Sequence, residues 1–269
     1  MSFLISSPLR RLGHLFCLSS TLMAPAAWAD SYADFQQASG QLEALMAKAT
    51  PHSGLPRLRD PAVAQLFAHI ADGPRLFQAP VTALQDVNQS VAVCEQAMRL
   101  GQTYYTFGLA WPLPLSGAQL QQARKEQATQ NLGNYGDEMS TLFAFSMHCH
   151  GHLIALMEQE FSAQPADAVS GPERLRARAF SKNTAVVYTG VLQFMQVPFW
   201  NMAQKKRMLE AAAQHATANA NLMAPPLRER LLASLADADK GLDPALAPAL
   251  ATIRQALAVT TCTGLCQYY

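Results

Sequence analysis

A surplus of charge, an internal repeat and any recognisable catalytic loop are all missing from this chain. Its 269 residues carry 20 Lys and Arg against 19 Asp and Glu. So balanced a surface argues against nucleic acid as a partner, because tracking a phosphate backbone takes a cationic excess. No Gly-x-Ser-x-Gly elbow, phosphate-binding loop, dinucleotide fingerprint or Cys-x-x-Cys-His haem attachment sequence occurs. No catalytic residue and no cofactor is therefore assigned, and the balance leans away from an enzyme. Neither a fixed-period repeat nor extended heptads occur, which disfavours a regular solenoid and a long coiled coil. Beyond the first 29 residues no stretch offers ~18 uninterrupted apolar positions, so no integral membrane segment is expected there.

The first residues supply what the rest lacks. "MSFLISSPLRRLGHLFCLSSTLMAPAAWAD" places Arg10 and Arg11 before an apolar stretch from Leu12 to Ala27, followed by Ala27-Trp28-Ala29 and Asp30. That is the order of a secretory signal peptide, and the apolar stretch falls short of the ~20 residues a membrane span needs. Phe16 ahead of Cys17 is too large for lipoprotein processing, and the Arg pair lacks the rest of a twin-arginine pattern. Residues 1–29 are expected to be a cleaved signal and 30–269 a single α-helical domain in the periplasm. Cleavage would leave 18 basic and 19 acidic side chains and four of the five cysteines: Cys94, Cys149, Cys262 and Cys266.

Hydrophobic spacing after that point is helical almost throughout. "DFQQASGQLEALMAKAT" repeats Phe35, Leu42, Leu45 and Met46 at helical intervals. Asp60-Pro61 reads as an N-cap with proline at the first helical position, and Gly73-Pro74 as the stop of the helix that follows. A long helix is expected from Val81 to Trp111. Another starts after Ser116 as cap and runs to Phe161, where Gly133 and Gly136 can interrupt it. Two more occupy 172–197 and 199–224, each stopped by proline, and "PLRERLLASLADAD" with "PALAPALATIRQALAV" forms a final pair. No sustained alternation suggests a strand. The expected class is all-α, a compact irregular bundle of about seven to nine helices.

"SMHCHGHLIALMEQE", residues 146–160, concentrates side chains with chemistry. Helical spacing puts His148 and His152 on one face, four residues apart, where two imidazoles can reach one cation; His150 points away. Zn²⁺ or Cu²⁺ would be the ion. The local ligand set is incomplete, since neither His-Glu-x-x-His nor Glu-x-x-His occurs, so a third ligand must come from His69, His215, Glu95, Asp137 or Glu138. The plainer reading is a buried helix whose histidines are hydrogen-bonded among Phe143, Phe145, Met147, Leu153, Ile154, Leu156 and Met157. Gly151 would let a neighbouring helix approach.

Four cysteines in an oxidising compartment suggest two disulfides, with three pairings to choose from. Cys94 with Cys149 and Cys262 with Cys266 is favoured, because a turn containing Gly264 holds the two tail sulfurs near each other. The tail "TCTGLCQYY" looks too short and polar to be held by burial. A disulfide at Cys149 would close it off as a thiolate ligand. Two basic clusters, Arg174, Arg176, Arg178 and Lys182, then Lys205, Lys206 and Arg207, read first as solvated helix faces. The aromatic run Tyr104, Tyr105, Phe107 and Trp111 reads as core with a boundary. Two classes of function follow. One is a periplasmic helical interaction protein with an unidentified protein partner, of the kind that restrains a toxin or assists a secreted protein. The other is a metal-binding protein or metalloenzyme built on His148 and His152.

Overall fold

The computed structural model describes residues 26–77, 84–110, 115–162, 165, 168–238, 242–259, 261, 262 and 264–268. Most of the expected signal sequence, residues 1–25, and Trp111 lie outside them. Among the described residues there is no strand and there are eleven α-helices. These are α1 (Ala26–Met46), α2 (Pro61–Ile70), α3 (Gly73–Leu76), α4 (Leu84–Thr106), α5 (Gly117–Asn134), α6 (Gly136–Ser162), α7 (Gly171–Met195), α8 (Met202–Gln214), α9 (Ala216–Leu222), α10 (Pro225–Ala238) and α11 (Ala247–Ala258). Short 3₁₀ turns occupy Pro244–Leu246 and Leu265–Tyr268. No helix among the described residues is long and apolar enough to cross a membrane.

Local signals set most boundaries. Asp60 caps α2 by accepting from the Ala62 N–H, with Pro61 in the first turn. Ser170 with Glu173, and Asn201 with Gln204, form reciprocal capping boxes at the starts of α7 and α8. Ser116 occupies the N-cap of α5 but makes no side-chain capping bond. Gly73-Pro74 differs from expectation. The Asp72 carboxylate accepts from the Arg75 N–H, so the dipeptide opens the one-turn helix α3 after α2 has ended at Ile70. The expected 116–161 helix breaks at Tyr135, and the 199–224 helix breaks at His215. Those breaks and α3 account for a helix count above nine.

Packing then places the elements around α6, which lies against α4 on one side and α8 on another, with α3, α5 and α9 completing its surroundings. α1 covers α2, α3 and α4, while α7, α10 and α11 close the far side over α8 and α9. One continuous core runs from Phe35 of α1 to Leu257 of α11. On α1 the inward stripe is Phe35, Ala38, Leu42 and Met46, and Leu45, expected inside, is 40% exposed. A smaller cluster joins Ile154 and Phe161 of α6 to Val169, Ala177, Leu222 and Leu265. Leu265 is 1% exposed, so the tail is anchored by burial, contrary to its polar appearance.

The turn-rich segment between α1 and α2 has a clasp of its own. The Tyr104 hydroxyl donates to the Pro56 carbonyl (2.8 Å), the Leu55 N–H donates to the Tyr135 hydroxyl (3.0 Å), and the Leu58 N–H donates to Glu138 Oε1 (2.6 Å). Glu138 is almost fully buried and faces the Arg57 guanidinium at 3.3 Å. Removing Arg57 would leave a carboxylate buried without its charge partner, the costly way to break such a pair.

Candidate functional site

The three histidines of α6 project to three different neighbours. His148 Nδ1 lies 3.0 Å from His215 Nε2, and the two rings meet edge to face. His150 Nε2 is 2.6 Å from the Thr184 hydroxyl on α7, with its ring stacked on Phe180. His152 Nε2 is 3.1 Å from the Ser90 hydroxyl on α4 and stacks on Phe77. The expected pair, His148 with His152, thus shares a helix face but not a partner. What meets His148 is His215, one of five side chains considered for a third ligand.

Two glycines make the meeting possible. A Cβ at position 151 would overlap the His215 ring, and a Cβ at position 73 would come within 3.1 Å of the His148 Cβ. Gly151 does admit a close neighbour, and that neighbour is an imidazole from the break between α8 and α9. His215 is held at that break, with its carbonyl accepting from the Asn219 side chain (2.7 Å) and N–H (3.0 Å).

All four rings are held uncharged near neutral pH. Burial lowers the His148 and His152 values. Burial, reinforced by the His215 charge, brings His150 down to about 4. Burial, then the charges of His148 and His152, brings His215 to about 4 as well. Desolvation penalises each imidazolium, and like charges penalise a second one further.

Other candidates have local roles. His69 sits beside Arg75 and Asp34 on the exposed side of α2. Asp137 accepts from the Gln204 side chain, Glu138 belongs to the Arg57 clasp, and Glu95 is half-buried on α4. Among the described residues no three His, Cys, Asp or Glu side chains are grouped so as to hold a metal ion together. The cysteines fall into two pairs at disulfide distance. Cys94 and Cys149 have Cα atoms 5.5 Å apart and tie α4 to α6; Cys262 and Cys266 are 5.8 Å apart in the tail. Cys149 therefore faces α4, as His152 does, and not His215 or Thr184.

The second basic cluster is partly used within the fold, since Arg207 donates to the Ser140 hydroxyl (2.6 Å) and Lys206 pairs with Glu210 one turn on. In the first, Arg174 donates to the Val169 carbonyl, whereas Arg176, Arg178 and Lys182 are exposed. Tyr104 is buried and Tyr105 partly exposed, with Phe107 set edge-on against Tyr135. Sequence reasoning did not single out Ser90 or Thr184, the buried hydroxyls that receive His152 and His150. Single hydroxyls on apolar helix faces were the only signal for them. Comparison of the chain with protein-family models, curated proteins and solved structures finds no match to any of them.

Proposed function

We propose that this chain is an exported helical interaction protein that docks an acidic protein surface on the outer face of α7. The observation that carries the reading is a single stripe on that helix. Leu175 and Val186, at 67% and 59% the two most exposed of the large apolar side chains described, flank Arg178 and Lys182 at steps of three and four residues. Isolated exposed apolar residues are ordinary on a protein surface, but two on one stripe with cations between them match the apolar contact and charged rim of a docking face. Cations steer an acidic partner and fix its register, and the apolar ends supply the desolvated contact.

A photo-crosslinking residue placed at Val186 should give a discrete adduct in cells, while the same residue at Gln130 on α5 should give none. Arg178→Glu with Lys182→Glu should abolish the adduct and change stability by no more than about 0.5 kcal/mol, as surface substitutions do. Arg178→Lys with Lys182→Arg should retain it. No adduct from position 186, or one indifferent to charge reversal, overturns the proposal.

Export is the other half of this reading and rests on Arg10, Arg11, the apolar stretch and "AWAD". Protein recovered from the periplasm should begin at Asp30 on N-terminal sequencing. An intact Met1 form held in the membrane fraction would overturn it.

A further inference from the structure

We infer that His148 and His215 form a two-imidazole site for a borderline divalent transition metal, Cu²⁺ most tightly and Zn²⁺ after it, with water or a small anion in the remaining positions. The inference is independent of the α7 docking face. It moves the metal reading from the pair on one helix to a pair that only the fold brings together.

The distance carries it. His148 Nδ1 and His215 Nε2 stand 3.0 Å apart. Two imidazole nitrogens at about 2.0–2.1 Å from one ion are separated by roughly 2.9 Å in a right-angled arrangement and roughly 3.3 Å in a tetrahedral one. The observed spacing lies between the two, so both nitrogens can reach one ion once each ring turns its lone pair from the other nitrogen towards it. Both rings are half-buried, which leaves a path for the ion and for the waters that complete its shell.

The surroundings hold the pair in place. His215 is pressed over Gly151, His148 lies against Gly73, and the 215 backbone is fixed through Asn219. Rings whose positions are set by packing need little ordering on binding. His150 and His152 are occupied by Thr184 and Ser90 on other helices. Two nitrogen ligands with no carboxylate among them suit a borderline ion and not Mg²⁺ or Ca²⁺, which take oxygen shells.

The test is metal titration of the untagged purified protein, followed by calorimetry and by electron paramagnetic resonance of the Cu²⁺ form. One Cu²⁺ per chain should bind, with hyperfine coupling from two imidazole nitrogens; Zn²⁺ should compete and Mg²⁺ should not. His148→Gln and His215→Gln should each weaken binding by more than about tenfold and reduce the coupling to one nitrogen, with helix content unchanged in circular dichroism. His152→Gln, and His69→Ala combined with His52→Ala in the exposed turn between α1 and α2, should leave both readouts as in the parent protein. Full affinity with two-nitrogen coupling in His215→Gln, or loss of binding only when His52 or His69 is removed, overturns the assignment. So does the absence of stoichiometric binding in the parent protein.

Discussion

Replacing Cys94 and Cys149 together by Ala should lower the melting temperature by about 8–16 °C, whereas replacing Cys262 and Cys266 should lower it by half as much or less. The first pair spans a sequence separation of 55 and the second a separation of 4. A cross-link removes loop-closure entropy from the unfolded chain, and that entropy grows with the logarithm of loop length. The chain-entropy relation assigns roughly 4 kcal/mol to the longer loop and about 2 kcal/mol to the shorter. Position strengthens the contrast. Cys94 and Cys149 are buried where α4 meets α6, at the centre of the bundle, while the tail has the burial of Leu265 in the second core cluster to hold it besides its bridge. Ala at 94 and 149 stays small and apolar, so the loss measures the cross-link more than the packing. Scanning calorimetry of the oxidised protein and the two double variants reads the difference directly. Equal shifts, or a stoichiometric free thiol after alkylating the denatured, unreduced protein, would refute this account.

Acidification of chelator-treated protein should be the second large effect. Stability should fall as pH drops from about 6.5 towards 4, before most carboxylates titrate. A histidine whose folded value lies below its unfolded value of about 6.5 binds its proton more readily in the unfolded chain. Its contribution is therefore complete above pH 6.5 and is lost progressively as pH falls to the folded value. His150, held at about 4 first by burial and then by the His215 charge, is the most tightly enclosed of the four. Its shift alone corresponds to about 3 kcal/mol lost by pH 4, of which about 2 kcal/mol goes between pH 6.5 and 5. His215 shifts to a similar value but is more open to water, so screening reduces its share. Thermal melts from pH 7.5 to 4.5 on the parent protein and on His150→Gln test the point, since Gln keeps a partner for the Thr184 hydroxyl without titrating. The variant should show a flatter profile through pH 6.5 to 5. An identical slope in the two proteins would show that His150 is not the group responsible.

The histidine site shows how far residues alone reach. The spacing of His148, Cys149, His150, Gly151 and His152 establishes that His148 and His152 leave one face of the helix while Cys149 and His150 leave in other directions, and that position 151 admits a close neighbour. It also permits His215 as a companion, together with four others. Nothing local chooses among the five, because the choice is made by α8 ending 67 residues later against α6. Glu138 shows the same limit from the other side. It was eligible as a ligand by type, yet the fold spends it on Arg57 and the Leu58 N–H. The tail differs again: polar composition suggested a loose end, yet Leu265 is buried in the second core cluster and Cys266 beside it is buried as well.

By itself the sequence determined the all-helical class, the cap at Asp60 and the near balance of charge that argues against nucleic acid. These follow from periodicity, proline and capping chemistry, which act over a few residues along the chain. Only the tertiary structure decided that Gly73-Pro74 starts a turn of helix, that the helix after Asn201 breaks at His215, and that this imidazole rests on Gly151 with its nitrogen 3.0 Å from His148. Those outcomes depend on which apolar faces bury one another, and burial is non-directional: many partners satisfy it equally until the whole bundle closes.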